Sequence, residues 1–257
     1  MKRRSINLHR QSLVARAMVG PGSWGIAGNP ISHSPTPRMF SIVGEYLGIE
    51  AHQIYVESSS IEDFVEKTSR IKGDIWVSCT SPLKHSAPSE LGVKSPRGVD
   101  AVNQLMRSGG SWSGTNTDGL GFVSACRHIG VDPSISTLRI RGGGSAARSI
   151  ASAWSSEGGS LIPETGRRPL ASGPWDGRIL ETGQADLAVD LDAAPAGGES
   201  AELEGEMQVS VSYAKGASAD DFAVMMLAAQ HLHAWKSFFA PSREDDLPNL
   251  TELLSRL

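Results

Sequence analysis

The chain has 257 residues, enough for two medium domains, with 39% apolar and 20% charged residues and a net charge of −4. That balance argues against a nucleic-acid binder, which shows a basic surface, and no apolar run approaches the roughly 20 residues that span a bilayer. Two distant cysteines, Cys79 and Cys126, and seven histidines without an H-E-x-x-H pair give neither a disulfide framework nor a metal-ligand spacing, so a cytoplasmic protein without metal is expected.

In chain order, residues 1–22 open with a basic, acid-free stretch, read as an extension rather than an organelle-targeting peptide. "SWGIAG" follows as a short buried strand. "TPRMFSIVGEYLG" then spaces Met39, Phe40, Val43, Tyr46 and Leu47 as an amphipathic helix stopped by Gly48. "AHQIYVES" alternates as a strand, "SIEDFVEKTSR" starts a helix at the candidate N-cap Ser60, and "DIWVSC" is the next strand. Strands alternating with helices imply a parallel sheet. Around Ser108-Gly109-Gly110 a hairpin is expected, followed by a helix closed at Gly130.

A second unit begins near Pro133 with a strand, a glycine loop and a helix: "STLRIRGGGSAARSIASAW". Gly142, Gly144 and Ala147 satisfy G-x-G-x-x-A. Such a loop allows a tight turn, lets backbone amides approach a pyrophosphate, and places that group at a helix N-terminus. After the next strand, "PETGRRP" offers Arg167 and Arg168 to a 2′-phosphate, although Glu164 would suit an unphosphorylated ribose and Pro163 is awkward in a strand buried on both sides. "ADLAVDLDAAP" and "MQVSVSYAKG" read as later strands. Residues 171–206 hold few large apolar groups and read as weakly specified. "SADDFAVMMLAAQHLHAWKSFF" reads as a long helix with an acidic first turn, and "LPNLTELLSRL" as a last short one.

Several of these stretches together resemble shikimate dehydrogenases: "GNPISHSPTP" at 28–37, "TSPLK" at 80–84, "AVNQL" at 101–105, "GTNTDGLGF" at 114–122, the glycine loop at 142–148, and Gln230. The resemblance implies an α/β protein of two domains. Residues 1–121 and 222–257 would bind substrate, and 122–221 would form a Rossmann-like NADP domain, with the active site between them. It implies NADPH-dependent, reversible reduction of 3-dehydroshikimate to shikimate in aromatic amino-acid biosynthesis, in a monomer or homodimer without nucleic-acid or membrane partners. By the same resemblance, Ser34 and Thr36 hold the substrate carboxylate, and Thr80, Asn103, Asp118 and Gln230 hold the ring hydroxyls, with Tyr213 nearby. Lys84 and Asp118 form the catalytic pair. Gly142, Gly143, Gly144, Ser145, Ala146, Arg167, Arg168 and Met225 bind the cofactor.

The chemistry suits the pair. Hydride delivered to a carbonyl carbon leaves charge on the oxygen, which a positioned ammonium stabilises and protonates. The chain also departs from the family pattern. Ser78-Cys79-Thr80 stands where Asn-Val-Thr is usual, Phe40 where a histidine is, and Ser145 at the third glycine of the loop. Asp190 and Asp192 replace neutral groups, and Met225-Met226 a Gly-Met pair. These changes cluster in the cofactor half. They leave two alternatives: a dehydrogenase acting on quinate or a related carboxylated ring, and a non-catalytic shikimate-binding protein.

Overall fold

A computed structural model describes residues 20–192, 202–214 and 216–257. The basic opening stretch lies outside the described residues.

The first sheet is built on β1 (Ser23–Gly28), β2 (His52–Glu57) and β3 (Ile75–Cys79), all mutually parallel. They are joined through α1 (Thr36–Leu47) and α2 (Ile61–Ser69), the latter capped by Ser60, whose side chain accepts from the Asp63 amide. After α3 (Leu83–Glu90) the hairpin of β4 (Gln104–Ser108) and β5 (Ser111–Thr115) adds two antiparallel strands, so the order is β2-β1-β3-β4-β5 and the sheet is mixed. β4 and β5 pair antiparallel because a two-residue hairpin joins them, and β4 also runs antiparallel to β3 although α3 lies between them.

From α4 (Asp118–His128) the chain enters a four-stranded parallel sheet. Its members are β6 (Thr137–Arg141), β7 (Ser160–Glu164), β8 (Leu187–Asp190) and β9 (Met207–Val209), in the order β7-β6-β8-β9. α5 (Ser145–Ser156) connects β6 to β7. β7 lies at the sheet edge, so Pro163 removes no interior ladder bond and is at home there. Tyr213 lies beyond the end of β9 rather than within a strand.

α6 (Phe222–Ala234), a π-helical turn (Trp235–Phe239) and α7 (Leu250–Leu254) complete the chain. Asp221 is the N-cap of α6 and the first turn holds no acid, a correction to the acidic first turn expected from sequence. Asp221 instead accepts from the Ser218 amide. Residues 171–186 are likewise better anchored than their composition suggests, because Trp175 is fully buried in the second core.

α6 belongs to both cores. Val224 and Ala228 pack with Trp24, Phe40 and Trp235 against the first sheet, and Met226 packs with Phe122, Trp154 and Trp175 against the second. α4 is wedged between α5 and α6 by two glycines. A Cβ on Gly119 would lie 2.0 Å from the Ser149 carbonyl oxygen, and one on Gly121 would lie 2.6 Å from the Gln230 Cβ. Backbones approach this closely only where side chains are missing.

Candidate active site

A cavity of about 210 Å³ opens between the two sheets. β3 and the turn after it supply Ser78, Cys79, Thr80 and, from the first turn of α3, Lys84. Ser34 and Thr36 come from the approach to α1, Asp118 from the start of α4, Ala146 from α5, Tyr213 from the segment after β9, and Gln230 from α6. One wall is therefore made by elements far apart in sequence.

At its centre, Lys84 Nζ donates to Asp118 Oδ2 at 2.7 Å, with the two side chains 20% and 3% exposed. Burial works against the ammonium, but the Asp118 charge and its hydrogen bond outweigh it and hold the Lys84 pKa above the ordinary lysine value. The second Asp118 oxygen is also engaged, since Asn103 Nδ2 donates to Oδ1 at 2.7 Å. Asn103 is fixed in turn by the Thr117 amide, which donates to its Oδ1 at 2.8 Å. The carboxylate thus has a defined orientation before any ligand arrives. It heads α4, where the helix dipole favours a negative charge. The helix N-cap is Thr117, so Asp118 is not a cap.

The hydroxyl corner is as connected. Tyr213 OH donates to Ser34 Oγ at 3.5 Å, Ser34 Oγ donates to Thr36 Oγ1 at 3.0 Å, and His231 Nε2 lies 2.9 Å from the same Thr36 oxygen. α1 is capped by neither hydroxyl, since its N-cap is Pro35 with no side-chain bond. Burial raises the Tyr213 pKa, so the phenol remains a proton donor. Burial also pushes the Cys79 thiol up to about 12, so this cavity-lining cysteine is no nucleophile at neutral pH.

The glycine loop runs from β6 into α5. Gly142 has φ +107°, and a Cβ on Gly143 would lie 1.9 Å from the Pro169 carbonyl oxygen. On Gly144 a Cβ would meet open space. The loop is thus tight on its rear side and open in front, where the Ser145, Ala146 and Ala147 amides head α5 without intrahelical acceptors. Such a cradle fits a dinucleotide pyrophosphate.

Glu164, which sequence placed near the ribose, instead pairs with Arg139 at 2.5 Å. Arg167 is bound to Asp192: its amide donates to Asp192 Oδ2 and its Nη2 donates to the Asp192 carbonyl oxygen at 2.8 Å. Arg168 is exposed and makes no ion pair among the described residues.

Of the residues singled out from sequence, Ser34, Thr36, Thr80, Lys84, Asp118, Ala146, Tyr213 and Gln230 line the cavity. Asn103 is fully buried behind Asp118 and reaches the cavity only through it. Gly142, Gly143, Gly144, Ser145, Arg167 and Arg168 lie along the loop, outside the cavity lining. Met226, not Met225, faces the cavity, and Met225 packs between the two cores.

Sequence reasoning missed His231 and Arg148. Adjacency to Gln230 on a helix gave no signal that His231 would reach Thr36. Arg148, in the first turns of α5, donates to the Val99 carbonyl through Nε and Nη2, at 3.0 and 2.7 Å, and to the Gly143 carbonyl through Nη1 at 3.0 Å. It ties the glycine loop to the loop that follows α3.

No protein-family model matches the chain. Over 132 residues it is 34% identical to the shikimate dehydrogenase (NADP(+)) of Bacillus mycoides, and over 133 residues 36% identical to that of Bacillus subtilis. Each match covers 49% of this chain and 47% of the relative, so the chain spans about half the length of the curated relatives it matches. In fold, the crystal structure of shikimate 5-dehydrogenase from Thermus thermophilus, in complex with NADP(H) and shikimate, superposes with a TM-score of 0.69 at 22% identity, covering 91% of this chain and 97% of that one. Over about half of its length the chain is thus similar to curated shikimate dehydrogenases. Its architecture is the two-domain α/β fold with a Rossmann-like unit. Among the described residues no helix is long and apolar enough to cross a membrane, and no cluster of metal ligands occurs.

Proposed function

We propose that the protein is an NADP-dependent shikimate dehydrogenase, a cytoplasmic monomer or homodimer that interconverts 3-dehydroshikimate and shikimate. The observation that carries this reading is the Lys84–Asp118 pair, buried at 2.7 Å in a cavity whose other polar walls are hydroxyls, the Gln230 amide, the Cys79 thiol and the His33 imidazole. Residues up to 121 with 222–257 are assigned to the substrate and 122–221 to the cofactor.

In this reading the Ser34–Thr36 pair meets the substrate carboxylate, Thr36 donating a neutral hydrogen bond and Ser34 supporting it from behind, and Thr80, Asp118 and Gln230 hold ring hydroxyls. Asn103 keeps Asp118 turned towards Lys84. The ammonium stands ready to stabilise the oxyanion and protonate it during reduction. In oxidation its neutral amine takes the hydroxyl proton back. Because Asp118 raises the Lys84 pKa, the acid form prevails at neutral pH, and reduction is the direction served without a prior proton loss.

The amides heading α5 and the loop Gly142–Ser145 would hold the pyrophosphate of a nicotinamide cofactor, with Arg168 facing a 2′-phosphate and Met226 walling the cavity beside the substrate. When bound, that cofactor supplies or accepts the hydride.

The test is shikimate-dependent reduction of NADP⁺, followed by the absorbance of the reduced nicotinamide, with NAD⁺ and quinate in parallel. Turnover with shikimate and NADP⁺ is expected. Calorimetric binding of shikimate without turnover on either cofactor would replace this reading with that of a binding protein. A quinate rate well above the shikimate rate would reassign the substrate.

A further inference from the structure

Thr36 presents one polar atom to the cavity, and its neighbours decide what that atom can do. A hydroxyl has one proton to give and two lone pairs to fill. Ser34 Oγ donates to Thr36 Oγ1, filling one lone pair, and Ser34 itself accepts from Tyr213. The remaining partner is His231 Nε2, 2.9 Å away.

If Nε2 accepted, the protons of Tyr213, Ser34 and Thr36 would each be spent on the next member of the chain, and none would face a ligand. If Nε2–H donates, both lone pairs of Thr36 are filled and its proton is the one remaining valence, free to point into the cavity. The same four side chains therefore make either a corner without donors or an anion-binding one.

The far side of the ring decides between them. His231 is fully buried, and its Nδ1 has no hydrogen-bond partner among the described residues. The edge of Phe40 packs against the ring, with centroids 5.4 Å apart. A proton on Nδ1 would be an orphaned buried donor, a rarer and costlier state than a bare lone pair. Burial, reinforced by the positive charge of Lys84, lowers the His231 pKa to about 3, so the ring is neutral at working pH and has a single N–H to place.

We propose that His231 is a positioning residue, held as the neutral Nε2–H tautomer, that turns Thr36 into a pure donor for the carboxylate of the substrate. This rests on the shikimate reading of the site. It gives the carboxylate end of the cavity its preference for an acceptor without placing a cation there.

The first test needs no substrate. In nitrogen-edited spectra of histidine-labelled free protein, His231 should show protonated Nε2 and bare Nδ1 throughout the neutral range. The reverse tautomer would overturn the proposal whatever the enzyme's activity. Assayed kinetically, or by calorimetric shikimate binding if there is no turnover, His231→Leu should weaken shikimate about tenfold, the scale of one hydrogen bond to a charged group, with kcat within about twofold. His231→Gln, whose amide can still donate, should recover most of that loss.

In a Thr36→Val background His231→Leu should have no further effect on shikimate. Additive losses in that cycle would show that His231 does not act through Thr36 and would overturn the proposal. Absence of turnover together with the Nε2–H tautomer and the expected binding changes would defeat the dehydrogenase reading alone.

Discussion

Replacing Lys84 with methionine separates chemistry from binding at this site. Methionine keeps most of the apolar stem that lies in the cavity wall and removes the ammonium that stands 2.7 Å from Asp118. Two consequences differ in size. The lost proton donor should lower kcat by about 10²–10⁴-fold, roughly 3–5 kcal/mol of transition-state stabilisation. The shikimate KM should move by no more than about threefold, because Ser34, Thr36, Thr80 and Gln230 remain. The stranded carboxylate of Asp118, 3% exposed and left with Asn103 Nδ2 as its side-chain partner, should cost about 1–3 kcal/mol of stability, visible as a lowered Tm. Steady-state oxidation of shikimate with NADP⁺, run beside thermal unfolding, reads both. A variant that loses stability but keeps kcat within about threefold of the parent would show Lys84 to be merely the structural partner of Asp118, and would refute the proton-transfer argument.

Gly119→Ala should lower stability by about 1–3 kcal/mol in denaturant unfolding, because the new Cβ would sit 2.0 Å from the Ser149 carbonyl oxygen and force α4 from α5. Asp192→Ala should release the Arg167 side chain from a neighbouring negative charge and lower the KM for NADP⁺ several-fold with little change for NAD⁺, and equal changes would contradict a 2′-phosphate site beside Arg167. Trp175→Ala should cost about 3–5 kcal/mol, since the ring is fully buried, and should weaken cofactor binding more than shikimate binding by calorimetry.

The buried His231 also predicts an acid-side loss of stability. Its folded pKa, about 3, lies below the ordinary 6.5, so its contribution is complete above the unfolded pKa and falls as pH drops through that window. The slope approaches about tenfold in the folding equilibrium per pH unit, and His231→Leu should remove it.

The first sheet and the residues that line the cavity from it were legible in sequence because they sit in short contiguous stretches whose local structure follows local rules. Ser60 caps α2, Gly109-Gly110 turns the hairpin, and Lys84 sits one turn beyond β3 where "TSPLK" placed it. What stayed hidden depends on side chains meeting across the fold. No pattern in "AAQHLHAW" tells that His231 will meet Thr36, 195 positions earlier, while His233 turns to Ser124. The choice of Met226 over Met225 is a rotation of about 100° on α6, which sequence cannot fix when all faces of the helix are apolar. Charge at a strand end is ambiguous in sequence until its partners are seen: Glu164 meets Arg139, and Arg167 meets Asp192.

Residues 171–186 show why counting apolar residues misjudged the second sheet's surroundings. Parallel strands need a crossover that covers the sheet, usually a helix. Between β7 and β8 the chain forms only a single 3₁₀ turn, Asp176–Arg178, and one isolated bridge from Ile179 to Leu161. Trp175 does the covering: its indole fills the second core, and its Nε1 donates to the Ala171 carbonyl at 3.1 Å. One large ring stands in for a helix face, so the region reads as poor in apolar residues and still closes the core. The same segment braces the active site. A Cβ on Gly98 would lie 2.8 Å from Pro174, and the carbonyl of the next residue, Val99, takes the two bonds from Arg148 that fasten the glycine loop. The second sheet's unit is therefore fastened to the loop after α3, the helix that carries Lys84, through a defined chain of contacts: Pro174 to Gly98, Val99 to Arg148, and Arg148 to Gly143. That chain holds the loop proposed above to cradle a dinucleotide against the segment that follows the Lys84 helix.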